Sequence, residues 1–203
     1  MGTLIIATKN AGKANDFRLL LEPKGFEIKT LLDFPDIPEV EETGYTFEEN
    51  ARLKAETISA LLDAPVLADD SGIMIDAFDG EPGVFSARFA GEPKSDAANN
   101  AKVLAMFGEM EGVSRQAHFH CTLVLAHPKK ESLVVEGKVT GEIALFPKGD
   151  NGFGYDSLFY YPELKKTFAE LSDQDKNLFS HRAQALKQLD KQIDEWFNES
   201  TGG

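Results

Sequence analysis

An apolar run enters at Pro65-Val66-Leu67 and leaves at Ile73-Met74-Ile75, and two adjacent carboxylates, Asp69 and Asp70, stand inside it. The flanks ask for a buried strand, and a buried carboxylate with no partner is costly. A chain that keeps both must satisfy them with cations or use them in chemistry. The plainer alternative is a turn, because Asp69-Asp70-Ser71-Gly72 is made of residues that turns favour. From this stretch alone the two readings stand level.

Hydrophobic residues make up 42% of the chain and charged residues 27%, enough apolar material for a sizeable core. A length of 203 residues suits one large domain or two closely packed lobes. Acidic residues outnumber basic ones 34 to 21, for a net charge of −13, which argues against nucleic acid as a partner. A small anionic substrate remains possible, since a few local cations or a metal override the global field. Cys121 is the only cysteine, so a reducing cytoplasm is the expected compartment. Met1 to Ile6 lacks the basic region of a signal peptide. No apolar run approaches the ~20 residues that span a bilayer, and no membrane association is expected.

Thr3 to Thr8 reads as a strand buried on both faces. It runs into Thr8-Lys9-Asn10-Ala11-Gly12-Lys13 and then a helix with Phe17, Leu20 and Leu21 on one side. Strand, loop and helix N-terminus in this order suit an anion, although the glycine spacing is not that of a Walker A loop. Taken alone, Lys13 reads as a solvated first-turn lysine. Phe26 to Leu32 reads as a second strand, followed by an acidic loop with Glu39, Glu41 and Glu42. Thr46-Phe47-Glu48-Glu49 is a capping box opening a helix to about Leu62, on which Asn50 and Lys54 share a face.

Ser95 caps a further helix through Phe107. Gln116 to Ala126 alternates as a half-buried strand, placing His118 and His120 on its wetter face, and Ser132 to Thr140 pairs back as a hairpin. The stretch from Lys148 to Asp156 sets three glycines around Phe153 and Tyr155, so backbone can approach a ligand and an aromatic ring can stack on it. A last helix opens at Ser180-His181-Arg182 and carries Leu186, Leu189, Ile193 and Trp196 as its apolar stripe. A histidine and an arginine in a first turn oppose the helix dipole, which makes sense if an anion sits between them.

These stretches resemble the Ham1-type inosine triphosphate pyrophosphatases, and specifically their bacterial dITP/XTP pyrophosphatase branch. The residues that carry the likeness, in order, are Thr8 to Lys13, Glu41-Glu42-Thr43-Gly44 with Phe47 to Ala51, and Leu67 to Gly72. Pro82 to Arg88, Gly152 to Asp156 and Ser180-His181-Arg182 complete them, and the likeness runs from Thr8 to about Leu186. One departure is Ser157, where the family commonly has proline after Gly-Tyr-Asp.

The resemblance implies an elongated α/β fold with a mixed sheet and two lobes, the active site lying in the cleft between them, and a homodimer. It implies hydrolysis of ITP, dITP and XTP to the monophosphate and pyrophosphate with Mg²⁺. By position, Thr8, Lys9, Asn10, Ala11, Gly12 and Lys13 look like the loop that grips the triphosphate, and Glu41 and Asp70 look like the metal ligands. Ser71, Phe153, Gly154, Tyr155, Asp156, Lys176, His181 and Arg182 resemble the other substrate contacts, and Lys54 a lysine that reaches the phosphates. Asp70 or Asp69 would accept the proton of the attacking water, and a donor such as His181 or Arg182 would read the 6-oxo group of the base. Two other classes stay open: a phosphatase or phosphotransferase with an aspartate nucleophile, and a nucleotide-binding module without catalysis.

Overall fold

The computed structural model describes residues 2–198, so the fraying expected of Thr201-Gly202-Gly203 lies outside the described residues. In chain order the strands are β1 (Thr3–Ile6), β2 (Glu27–Thr30), β3 (Val66–Ile75), β4 (Gln116–His127), β5 (Lys130–Ile143), β6 (Phe159–Tyr161) and β7 (Lys166–Thr167). The helices are α1 (Ala11–Leu21), α2 (Phe47–Leu62), α3 (Asp96–Gly108), α4 (Asp173–Phe179), α5 (His181–Leu189) and α6 (Ile193–Asn198). The strands follow the order β2-β1-β3-β4-β5-β6-β7. β1 is parallel to β2 and β3, whereas β6 is antiparallel to β5 and β7, so the sheet is mixed. No helix among the described residues is long and apolar enough to cross a membrane.

The question left level by the sequence is decided at β3. The backbone stays extended from Val66 to Ile75, and Asp69-Asp70-Ser71-Gly72 is strand, not turn.

Two compact units are present, and β3, β4 and β5 each contribute residues to both. The first holds the chain up to Asp70, Cys121–Gly137 and the chain from His181. Strand alternation sorts its core onto two faces. Leu4, Ile6, Leu67, Leu123 and Leu125 share one cluster with Phe17 and Leu21 of α1, Leu186 of α5 and Trp196 of α6. Ile5, Ala7, Val66, Ala68, Val124 and Ala126 share the other with Ala51, Ala55 and Ile58 of α2. The second unit, Ser71–His120 with Lys138–Ser180, centres on aromatic rings. Phe159 lies 4.5 Å from Phe119 and 4.8 Å from Phe168, centroid to centroid, distances at which edge and offset contacts are favourable.

Helix signals hold closely. Thr46 accepts from the Glu49 N–H and Glu49 returns a bond to the Thr46 backbone, and Ser95 caps α3 through the Ala98 N–H. Three expectations change. The second strand is only Glu27–Thr30, because Thr30 and Asp33 cap each other and wind residues 31–33 into a 3-10 turn. The last helix is two: after Leu189 the N–H groups of Lys191 and Gln192 reach back only three residues, to Gln188 and Leu189, and α6 starts afresh at Ile193. All four expected stripe residues are nonetheless buried. Helix α4 arises where none is expected, from the Ser172 hydroxyl accepting the Asp175 N–H.

How near α5 sits to the sheet is set by Gly137 on β5. A Cβ there would lie 2.2 Å from both the His181 carbonyl oxygen and the Ala185 nitrogen, backbone atoms that cannot swing aside. Gly137→Ala therefore pushes the first turn of α5 off the strand. We expect a loss of about 1–3 kcal/mol, read as a lower Tm, with a larger loss of whatever activity depends on His181 and Arg182.

Candidate active site

Adjacent strand residues face opposite ways, so Asp69 follows Leu67 toward α1 and α5 while Asp70 follows Ala68 toward α2. The two carboxylates meet different partners. Asp69 lies 3.1 Å from Lys13 Nζ and accepts from Arg182 Nη2 at 3.4 Å. Arg182 also donates from Nη1 to Asp16 Oδ2 at 3.1 Å. Asp16, Asp69 and Arg182 are 2%, 2% and 3% exposed, so two carboxylates and a guanidinium lie out of water, and the half-buried Lys13 brings the cluster's charges into balance. Removing one member of such a pair strands the other's charge, at a cost of about 3–5 kcal/mol.

This corrects two readings. Lys13 is an ion-pair partner rather than a solvated lysine, its side chain only 18% exposed. The anion expected between His181 and Arg182 is, for Arg182, supplied by the protein's own Asp16 and Asp69.

Asp70 lies in a different setting. Asn50, 1% exposed, donates from Nδ2 to Asp70 Oδ2 at 3.0 Å and accepts the Gly44 N–H at 2.8 Å. One carboxamide thus ties the acidic loop before α2 to the strand carboxylate. Lys54 Nζ stands 4.0 Å from Asp70 and pairs with Glu42. Burial pulls the Lys54 ammonium down, but the carboxylates of Asp70, Asp69 and Glu42 outweigh it and hold the group above the usual lysine range. For Asp70 burial dominates the favourable fields of Lys54 and Lys13, and its carboxyl is pushed up to about 6. A buried acid whose pKa approaches neutrality is suited to taking a proton.

In the loop after β1, Asn10 caps α1 by accepting the Lys13 N–H at 3.1 Å, and Thr8 Oγ1 accepts the Asn10 N–H at 3.1 Å. Lys9 Nζ donates to the Ile37 carbonyl at 2.8 Å. These bonds shape the loop and leave Ala11 and Gly12 in the first turn, where N–H groups have no partner within the helix. His181, 5% exposed, opens α5 beside Arg182.

The remaining expected residues belong to the second unit. Ser71 follows Asp70 on β3 and is half-buried. Asp156, 6% exposed, accepts from Lys176 of α4 at 3.2 Å and from the Phe153 N–H at 3.1 Å. The same ammonium lies 5.1 Å from the Phe153 ring centroid, within reach of a cation–π contact. The Tyr155 hydroxyl donates to the Ser86 carbonyl at 2.6 Å, and burial raises its pKa. His118 lies 3.9 Å from Asp76, with its pKa lowered by burial.

Among the described residues no three of the usual metal-ligating side chains converge. Mg²⁺ needs no such cage: it takes oxygen donors, keeps several waters and is commonly held by one or two carboxylates. Asp70 fits that chemistry as a buried carboxylate whose ionised form is disfavoured by its burial. Glu41 is exposed at the mouth of the same acidic loop, with Glu42 beside it engaged by Lys54.

Three contributors were missed in the sequence: Asp16, Asn50 as a bridge, and Glu42 as the partner of Lys54. Asp16 did carry a signal, because it lies beside Phe17 on the buried side of α1, three residues from Lys13.

The Ham1 family model matches residues 4–192. This chain belongs to the Ham1 family. It is 53% identical over 190 residues to a protein of Halalkalibacterium halodurans named dITP/XTP pyrophosphatase, covering 94% of this chain and 98% of that one. A dITP/XTP pyrophosphatase of Geobacillus kaustophilus is 54% identical over 198 residues, 96% of each chain. Among solved structures, the Staphylococcus aureus Ham1 protein superposes with a TM-score of 0.83 at 44% identity, covering 95% of this chain and 98% of its own. A Ham1 protein from Coxiella burnetii gives 0.86 at 41%, covering 96% and 100%. The mixed α/β architecture of this Ham1-family chain is therefore that of its relatives.

Because the folded pKa of Asp70 is about 6 against 3.8 in the unfolded chain, the native state holds this proton more tightly. Its contribution to stability is complete below about pH 4 and is lost as pH rises through about 6. At pH 7.5 in EDTA, Asp70→Asn should raise Tm by several degrees, on the scale of about 2–4 °C per kcal/mol. The gain should vanish near pH 4; thermal unfolding at both pH values checks it.

Proposed function

We propose that this protein hydrolyses non-standard purine nucleoside triphosphates (dITP, XTP and ITP) to the nucleoside monophosphate and pyrophosphate. The observation that carries the reading is the contrast between the adjacent aspartates. Asp69 is neutralised by Lys13 and Arg182, while Asp70 is left with a raised pKa beside Lys54 and Asn50. The Halalkalibacterium and Geobacillus relatives, at 53% and 54% identity, bear the name of this activity.

In this reading Asp70 is the general base. Buried on the α2 side of the strand and bonded to Asn50, its carboxylate would take the proton of a water attacking the phosphoanhydride. Asp69 is the counter-ion that fixes Lys13 and Arg182, and with its carboxylate engaged by both cations it serves as a structural partner rather than as the base. Lys54, kept cationic by its carboxylate neighbours, faces the charge that grows on the leaving pyrophosphate. Mg²⁺, held by Asp70 and Glu41, would neutralise phosphate charge and acidify a bound water. Thr8 to Lys13 offers the first-turn N–H groups of α1 and the Lys13 ammonium to the phosphates.

The base is assigned to Phe153–Asp156, with Lys176, His181 and Arg182. Arg182 is clamped by two carboxylates, so its charge is already matched. A rigid, neutralised donor suits an uncharged 6-oxo group better than a phosphate, and a site built around such a bond rejects bases lacking the acceptor. A homodimer and a cytoplasmic setting complete the reading; the single, buried Cys121 fits a reducing compartment.

Incubation of ITP and ATP separately with the protein and Mg²⁺ should yield inosine monophosphate and pyrophosphate, with ATP nearly untouched. Asp70→Asn should lower kcat by at least ~10³-fold, on the scale of losing a general base together with a metal ligand. Inosine diphosphate and orthophosphate as products would replace this reading with a phosphatase.

A further inference from the structure

Helix α3 has no part in the chemistry above, yet its first two turns are bonded to the loop assigned to the base. Asp96 and Asn100 are four residues apart and therefore share one side of the helix. Both reach the same residue. The Gly154 N–H donates to Asp96 Oδ2 at 2.7 Å, and Asn100 Nδ2 donates to the Gly154 carbonyl at 3.0 Å. Gly154 has a φ of +62°, a left-handed conformation that glycine adopts without strain. On one side of it stands Phe153, with its ring under the Lys176 ammonium; two residues beyond it, Asp156 closes back on the Phe153 N–H. Holding both backbone groups of Gly154 thus fixes where the Phe153 ring and the Asp156 carboxylate point.

The carboxamide of Asn100 shows which of its bonds matters. Its Oδ1 is buried and has no hydrogen-bond partner among the described residues. Turning the amide over would set that oxygen against the Gly154 carbonyl oxygen, so the loop dictates the orientation. A buried acceptor without a donor is unfavourable and rare, and it persists here alongside the bond to Gly154.

We propose that Asp96 and Asn100 are positioning residues that hold Gly154 from α3 and thereby set the placement of Phe153 and Asp156 on which purine selection depends. The inference rests on the assignment of Phe153–Asp156 to the base.

The test is steady-state kinetics of the full chain with Mg²⁺ on ITP and ATP, for wild type, Asn100→Ala, Asp96→Ala and Asp96→Asn. Loosening the loop removes binding that is equal in the ground and transition states, which raises KM at constant kcat. Both alanine variants should raise KM for ITP by about 10-fold with kcat within about 2-fold, and lower the ITP-over-ATP preference by a similar factor. Asp96→Asn keeps an acceptor for the Gly154 N–H and should stay within about 2-fold of wild type, which a role for the charge alone would not allow. Unchanged KM and preference, or equal loss of kcat and kcat/KM with preference intact, overturns the proposal. If Asn100→Ala fails to fold, the exposed Asp96 pair decides it alone. If wild type turns over neither nucleotide, the assigned reaction falls, and calorimetric binding of ITP and ATP takes its place: a preference lost in the alanine variants supports the positioning, and an unchanged preference or no binding overturns it.

Discussion

The alternation of a β-strand is the constraint on which this site depends. Two carboxylates one residue apart in sequence would repel if they shared a pocket, but β3 turns Asp69 to the face of α1 and α5 and Asp70 to the face of α2. Each then acquires its own electrostatics. The Asp69 face is closed by Lys13, Arg182 and Asp16 into a charge-balanced cluster. On the other face burial outweighs the fields of Lys54 and Lys13, and the Asp70 carboxyl is pushed up to about 6. A single strand thus gives two adjacent carboxylates different electrostatic settings without any special backbone geometry.

Stability and reactivity are divided along the same line. The charges around Asp69 are matched, and cutting any of them out leaves a buried partner unpaired. Asp70 does the opposite, since an ionised carboxylate at neutral pH is disfavoured where it stands. Asn50 limits the damage by giving Asp70 one donor while its oxygen takes the Gly44 N–H. Such local destabilisation at a site, supported by well-satisfied neighbours, is the pattern expected where function and folding make different demands.

Much of this was legible in the sequence because it rests on local chemistry. The Thr46 and Ser95 caps and the buried β1 run follow from spacing; β4 alternates only as far as His120, and from Cys121 to Ala126 both faces are buried, beyond the half-buried strand expected. What was not legible is what long-range partners decide. The turn chemistry of Asp69-Asp70-Ser71-Gly72 is overridden by neighbours on the sheet. Lys13 looks solvated until Asp69 is placed beside it, and the charge of Arg182 looks unopposed until Asp16 arrives from α1. The break between α5 and α6 leaves no mark in the apolar periodicity, since Leu189 and Ile193 keep their burial across it. The glycines and aromatics of Lys148–Asp156 marked a ligand loop locally, its assignment to the base came from resemblance, and the part of α3 in holding it came from neither.

Arg182 stands 166 residues from Asp16 and 113 from Asp69 along the chain. During synthesis at roughly 5–20 residues per second, Asp69 is therefore made on the order of 6–20 s before its guanidinium partner. Over that interval the nascent chain holds two aspartates destined for the interior with only Lys13 to answer them. They remain hydrated, and the sheet face that α5 will cover stays open. The last long helix to be synthesised is thus a latch on the first unit: until it is made, the side of the sheet carrying Leu67, Leu123 and Leu125 lacks the cover of Leu186 and Leu189.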